Sequence, residues 1–168
     1  MTIEPTPIGV MFFCLGNICR SPLAEALFRH HVETRDLASR FRIDSSGTGA
    51  YHVGEPPDPG SIRVARERLG LDLSSQRAQQ LSSVHLRSFD YLVAMDRSNL
   101  QNARRLPGAT EATLLLFRDF EPQVQWRGED VPDPWGGGAE HFERVYQIVD
   151  RCSREFLEFL IQKEQLSP

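Results

Sequence analysis

One stretch constrains this chain more than any other. Residues 8–13 are an unbroken run without polar side chains that stops at Cys14, a short loop with Gly16 and Asn17 follows, and Ser21-Pro22 opens a helical pattern. Beyond Pro22, Leu23, Ala24, Leu27, Phe28 and His31 fall on one face of a helix. The order is strand, loop, helix. Ser21 is a favoured N-cap and Pro22 suits the first helical position, which predicts a helix over 22–39. Cys14 then faces a helix N-terminus. There the unpaired N–H groups and the positive end of the helix dipole attract an anion, and the same geometry favours a thiolate over a thiol.

Arg20 stands six residues after Cys14 and completes such a site in principle, because a planar guanidinium grips two oxygens of a phosphate and adds positive charge beside the sulfur. Spacing alone says little here. The 19 basic residues include a single lysine, Lys163, so arginines are common enough for this spacing to arise by chance. The loop adds weight: to wrap a tetrahedral anion it needs unusual backbone angles, and Gly16 and Asn17 adopt them at least cost. The plain alternative is a buried cysteine that ends a strand.

With 168 residues the chain suits one domain with one core. Its net charge of -4, with arginines scattered among acids, argues against nucleic-acid binding. No run is long enough to cross a bilayer, and residues 1–7 lack the regions of a signal peptide, so no membrane partner and a cytoplasmic location are expected. Three cysteines, an odd number, fit a reducing compartment better than a disulfide framework. Cys14, Cys19 and Cys152 lack paired metal-ligand spacing, and no metal or cofactor is expected.

Along the chain, residues 1–7 read as a flexible leader and 8–168 as the single domain. Strands are predicted at 8–13, 42–46, 91–95 and 112–117. Helices are predicted at 22–39, at 59–69 with Ile62, Ala65 and Leu69 buried and Gly70 as the stop, at 82–86, from Asp96 to about 106, and at 139–162. The last carries Phe142, Val145, Tyr146, Val149, Cys152, Phe156 and Leu160 on one stripe, which makes Cys152 a core residue. Residues 118–138 show no regular pattern, and a connection of that length in a compact domain is more often functional than idle. Strands alternating with helices predict an α/β fold: a three-layer αβα domain on a four-stranded parallel sheet, with the anion loop between the first strand and the first helix. Ligands in such sheets bind at the carboxyl ends of strands near a switch point, and Cys14 sits at one such end.

The stretch Cys14-Leu15-Gly16-Asn17-Ile18-Cys19-Arg20-Ser21-Pro22 resembles the signature loop of the low-molecular-weight protein tyrosine phosphatases, in a bacterial-type form. The likeness covers nearly the whole chain and includes a second motif, Asp133-Pro134-Trp135, far from the first. It implies metal-independent hydrolysis of phosphotyrosine in proteins through a phosphocysteine on Cys14. The N–H groups of Leu15, Gly16, Asn17, Ile18, Cys19 and Arg20 would hold the phosphate, with inorganic phosphate, sulfate or vanadate able to take its place. Asp133 would be the acid and then the base, with Asp130 as a neighbour that lacks the Pro-aromatic sequel. Ser21 would donate to the sulfur, and Asn17 and Ser45 would brace the loop.

Tyr51 and Trp135 would wall a cleft for an aromatic ring, although an aromatic in a loop is as readily half-buried packing. The resemblance also implies that Cys19, otherwise a small space-filling residue, traps oxidised Cys14 as a disulfide. Two departures stand out: Gly136 where many members place a second aromatic, and Ser75 where animal members commonly place a histidine behind the loop. Other readings remain. An arginine phosphatase is the nearest, though Ile18 replaces the small threonine such members tend to have. An arsenate reductase would need resolving cysteines between Cys19 and Cys152, where there are none. A phosphate-binding module would need neither thiolate nor acid, and a cysteine protease would need a histidine base.

Overall fold

The computed structural model describes residues 2–168. Residue 1 of the expected leader lies outside them, and residues 2–7 are exposed and without regular structure. β1 (Ile8–Cys14) is buried along its whole length. It pairs in parallel with β2 (Phe41–Gly47) on one side and with β3 (Tyr91–Ala94) on the other, and β3 pairs with β4 (Leu114–Leu116). The sheet order is β2-β1-β3-β4. The chain therefore leaves β1 toward β2 and returns across it to β3, so the carboxyl end of β1 is a switch point. Cys14 is its last residue.

Alternation along β1 feeds two cores. Val10, Phe12 and Cys14 join the larger one, under α1 (Arg20–Thr34), α2 (Pro59–Leu69) and α5 (Ala139–Lys163). Met11 and Phe13 join the smaller, under α3 (Ser83–Ser88) and α4 (Arg97–Arg104). The result is the three-layer arrangement expected from the sequence. Phe12, Phe28, Phe117 and Phe156 meet edge-on or tilted in the larger core, Phe12 with centroids 5.4 Å from both Phe28 and Phe117. His31 and Asp150 clasp α1 to α5 at 2.7 Å.

Several boundaries differ from the sequence reading. α1 starts at Arg20 rather than Pro22 and ends at Thr34 rather than 39, because Asp36 turns into the left-handed region (φ 57°) and a separate 3₁₀ turn, Ala38–Arg40, leads into β2. The buried stripe of α2 is Gly60, Ser61, Val64 and Ala65, while Ile62 and Leu69 are only partly buried. Gly60 sits there because a Cβ would stand 2.5 Å from the Phe142 ring. β4 is shorter than expected, its predicted last residue opening the 3₁₀ turn Phe117–Phe120, and a second such turn, Val124–Trp126, lies within residues 118–138.

Candidate active site

The loop after β1 is held by its carbonyls. Cys14 O accepts from Thr48 N–H (2.9 Å), Leu15 O from Gly49 N–H (2.8 Å), Ile18 O from Asp58 N–H (2.7 Å) and Cys19 O from the Ser61 hydroxyl (3.0 Å). In a planar trans peptide the N–H points opposite the C=O. Anchoring these carbonyls outward therefore turns the following N–H groups inward, around the Cys14 sulfur. Asn17 N–H itself donates to that sulfur at 3.3 Å.

Of the two residues expected to take unusual angles, only Asn17 does (φ 58°). Gly16 serves close packing instead: a Cβ there would meet His52 Cδ2 at 2.9 Å. Gly47, which the sequence reading missed, matters more, since a Cβ would stand 2.6 Å from Leu15 O. Asn17 reads as the keystone of the loop. Its Nδ2 donates to Ser21 Oγ (2.8 Å) and Ser45 Oγ (3.0 Å), and its Oδ1 accepts from Gln79 N–H (3.0 Å). Ser45 Oγ passes its own hydrogen to Glu25 Oε1 (2.8 Å), a carboxyl that burial pushes above the usual range. Ser75 is exposed, and the backing role falls to Gln79, which also donates to Ser45 O (2.9 Å).

Ser21 is not the helix cap. Cys19 occupies the cap position without a side-chain bond, and Ser21 lies inside the first turn, wholly buried. Its Oγ is 3.1 Å from Cys14 Sγ and 3.2 Å from Ser46 O. Because it accepts from Asn17, its one hydrogen must go to one of those two, and a sulfur carrying negative charge is the stronger acceptor.

Arg20 is 3% exposed. Its Nη1 donates to Asp96 Oδ2 (2.7 Å) and Val131 O (2.9 Å), and its Nη2 is 3.7 Å from Asp133 Oδ2. Burial disfavours its charge, but Cys14, Asp96 and Asp133 outweigh that and raise its pKa. Asp96, read from the sequence only as the cap of α4, does both jobs with separate oxygens: Oδ1 accepts from Asn99 N–H (2.7 Å). Asp133 is about half exposed, and Trp135 N–H donates to its Oδ1 (3.1 Å). Asp130, the rival acid, is engaged elsewhere, its Oδ1 accepting from Arg97 N–H (2.9 Å).

Cys14, Leu15, Gly16, Ile18, Cys19, Arg20, Tyr51, His52, Asp133 and Trp135 line one cavity of about 390 Å³. Its mouth is aromatic. Tyr51 is 74% and Trp135 65% exposed, so Tyr51 is not half-buried packing, and Gly49 leaves room for its ring. His52, not singled out in the sequence, has Nδ1 2.8 Å from Glu55 Oε2. Cys19 is buried. That burial, followed by Asp58 and Cys14, pushes its thiol far up, so it stays protonated. Cys152 lies wholly in the core. Among the described residues no group of three or more His, Cys, Asp or Glu is placed to hold a metal, and no helix is long and apolar enough to cross a membrane.

Comparison with known proteins agrees with this geometry. Residues 9–166 match the family model for low molecular weight phosphotyrosine protein phosphatase. A Schizosaccharomyces pombe protein of that description is 46% identical over 154 residues, covering 89% of this chain and 95% of its own. The crystal structure of YfkJ from Bacillus subtilis superposes with a TM-score of 0.87 at 35% identity, over 97% of this chain and 99% of that one. Vibrio vulnificus Wzb, solved in complex with benzylphosphonate, superposes with a TM-score of 0.77 at 25% identity, over 91% of this chain and 99% of the other. With a match over almost its full length and the sulfur, guanidinium and carboxyl gathered in one cavity, the chain belongs to the low molecular weight phosphotyrosine protein phosphatase family.

Proposed function

We propose that the protein hydrolyses phosphotyrosine in proteins, without a metal, through a phosphocysteine on Cys14. The observation that carries this reading is the gathering of Cys14, Arg20 and Asp133 around one cavity, with the loop carbonyls of Cys14, Leu15, Ile18 and Cys19 anchored away from it. The Cys14 thiolate attacks phosphorus, forming an S–P bond as the P–O bond to the tyrosine breaks. Protonated Asp133 gives its hydrogen to the leaving oxygen. The N–H groups from Leu15 to Arg20 and the Arg20 fork hold the three equatorial oxygens. In the second step the Asp133 carboxylate takes a proton from water, the water oxygen attacks phosphorus, and the S–P bond breaks to release phosphate. Ser21 donates to the sulfur as it leaves, while Asn17 and Ser45 hold the loop.

Tyr51 and Trp135 offer flat apolar faces at the mouth, and Ile18 fills the wall, which supports an aromatic substrate over phosphoarginine or the shorter phosphoserine. The relative that binds benzylphosphonate, a ring one carbon from phosphorus, supports the same preference. Inorganic phosphate, sulfate and vanadate fit the anion loop as small occupants. Cys19, free beside Cys14, is proposed to trap oxidised Cys14, and three free cysteines fit a cytoplasmic setting. The test is hydrolysis of matched phosphotyrosine, phosphoserine and phosphoarginine peptides by the purified protein in the presence of a chelator. Phosphotyrosine should be turned over far faster than the other two. A preference for phosphoarginine, or dependence on added metal, would overturn the reading.

A further inference from the structure

The segment that leads into Asp133 hangs from two buried guanidinium groups on consecutive carbonyls. Arg20 Nη1 donates to Val131 O at 2.9 Å, and one residue earlier Arg118 Nη1 donates to Asp130 O at 3.0 Å. Between them Val131 N–H donates to Met95 O at 2.9 Å, just past β3. The chain thus enters Pro132-Asp133 from a fixed point, although Asp133 itself is half exposed and Gly136, two residues after Pro134, takes a left-handed angle (φ 79°).

Arg118 is 3% exposed, and its Nε donates to Glu121 Oε2 at 3.1 Å. Glu121, with no exposure at all, also accepts from Arg151 Nε (2.9 Å) and Nη2 (3.1 Å). Both arginines lie 5.9 Å from the Trp126 ring centroid. Burying such ions is costly, and well-packed apolar side chains commonly serve stability as well. What an apolar trio cannot supply is direction. The guanidinium presents its donors in one rigid plane, so Glu121 on Nε sets the plane and aims Nη1 at the Asp130 carbonyl.

We propose that Arg118 is a positioning residue for the phosphoryl transfer: by holding the Asp130 carbonyl it sets the backbone from which Asp133 reaches the leaving oxygen. The inference rests on the reading of Asp133 as the acid. Arg118 touches no reacting atom and lies outside the anion loop, so its loss should spare phosphate binding and weaken proton delivery.

The experiment measures kcat/KM for a series of aryl phosphates with leaving groups of increasing basicity, on wild type, Arg118→Lys, Arg118→Met, Asp133→Ala and the double variant Arg118→Lys/Asp133→Ala. Lys keeps the charge opposite Glu121 but cannot reach Glu121 and Asp130 O in one plane. Displacing a catalytic group by about 1 Å can cost on the order of a hundredfold, so Arg118→Lys should lose about tenfold to a hundredfold on the most basic leaving groups and much less on p-nitrophenyl phosphate. Inhibition by inorganic phosphate should be unchanged. In the Asp133→Ala background Arg118→Lys should add no further dependence on the leaving group. The slope against leaving-group basicity does not depend on how much enzyme is folded, so a partly unfolded variant still answers. A drop uniform across the series, or weakened phosphate binding, overturns the inference. Should Asp133→Ala itself lack a steep slope, the reading of the acid fails; a steep slope there with a wild-type slope in both Arg118 variants removes Arg118 alone.

Discussion

At the scale of single residues, Cys14, Arg20 and Asp133 were legible as candidates only through their two motifs, since arginines and acids are common along this chain. The partners that aim them were not. Asp96 looked like a helix cap and nothing else, since no spacing reveals that its second oxygen meets Arg20 at 2.7 Å. Gln79 and Glu25 were equally silent, because they act through the Asn17 and Ser45 side chains across gaps that only the fold closes. The loop geometry sets the outcome of Cys14→Ser. Removing a nucleophile costs more than about 10⁴-fold in kcat, whereas in the proposed mechanism the anion would be held by N–H groups and Arg20, so titration calorimetry should still detect phosphate binding. Substantial residual turnover would take Cys14 out of the mechanism. Cys19 sits next to that chemistry as a protonated thiol. Peroxide would oxidise Cys14 to a sulfenic acid with release of water, and the Cys19 thiol would then displace a second water to form the disulfide. Dithiothreitol should therefore restore peroxide-treated wild type but little of the Cys19→Ser variant. Equal recovery would leave Cys19 only its place in the core.

At the scale of elements, sequence punctuation decided how much could be read. The bounds of α2 were legible because Asp58, Pro59 and Gly70 mark both ends: Asp58 Oδ1 accepts from Gly60 N–H (2.8 Å) and Gly70 is left-handed (φ 64°). The start of α1 was misplaced since Ser21 has the chemistry of a cap but spends it on the Cys14 sulfur. The connection over 118–138 was opaque because it is organised by charge rather than by periodicity. Burial alone would push the Glu121 carboxyl up, yet hydrogen bonds from Arg151 and Arg118 outweigh it and hold it below the usual 4.5. A group depressed by folding contributes stability that is present above its unfolded value and lost as pH falls through its folded value. Hence Glu121→Gln should lower the unfolding free energy at neutral pH by about 3 kcal/mol, and the gap to wild type should close as pH drops below about 4. Urea midpoints at neutral and acid pH measure both. A gap independent of pH would show that the carboxylate charge is not what holds this connection.

At the scale of the whole molecule, the fold class followed from the alternation of apolar strands with amphipathic helices. The strand order did not, because a short sheet gives no sequence signal for the side of β1 on which each later strand is added. That order matters: only with β2 and β3 on either side does the end of β1 become an open crevice with chain on both flanks. The site is therefore built at the carboxyl end of an inner strand, while cohesion comes from the two faces of the sheet. Phe156, on α5 and wholly buried, ties Phe12 of β1, Phe28 of α1 and Phe117 past β4 into one cluster. Phe156→Ala would empty the centre of that cluster, for which large-to-small changes of a buried phenylalanine cost about 3–5 kcal/mol. None of the loop anchors passes through this ring, so the cost should fall on folding and not on chemistry. Urea unfolding should show the loss, while kcat/KM per folded molecule and its dependence on the leaving group stay at wild-type values. A change in that dependence would mean that packing under the sheet reaches the acid, and that the separation of site from core does not hold.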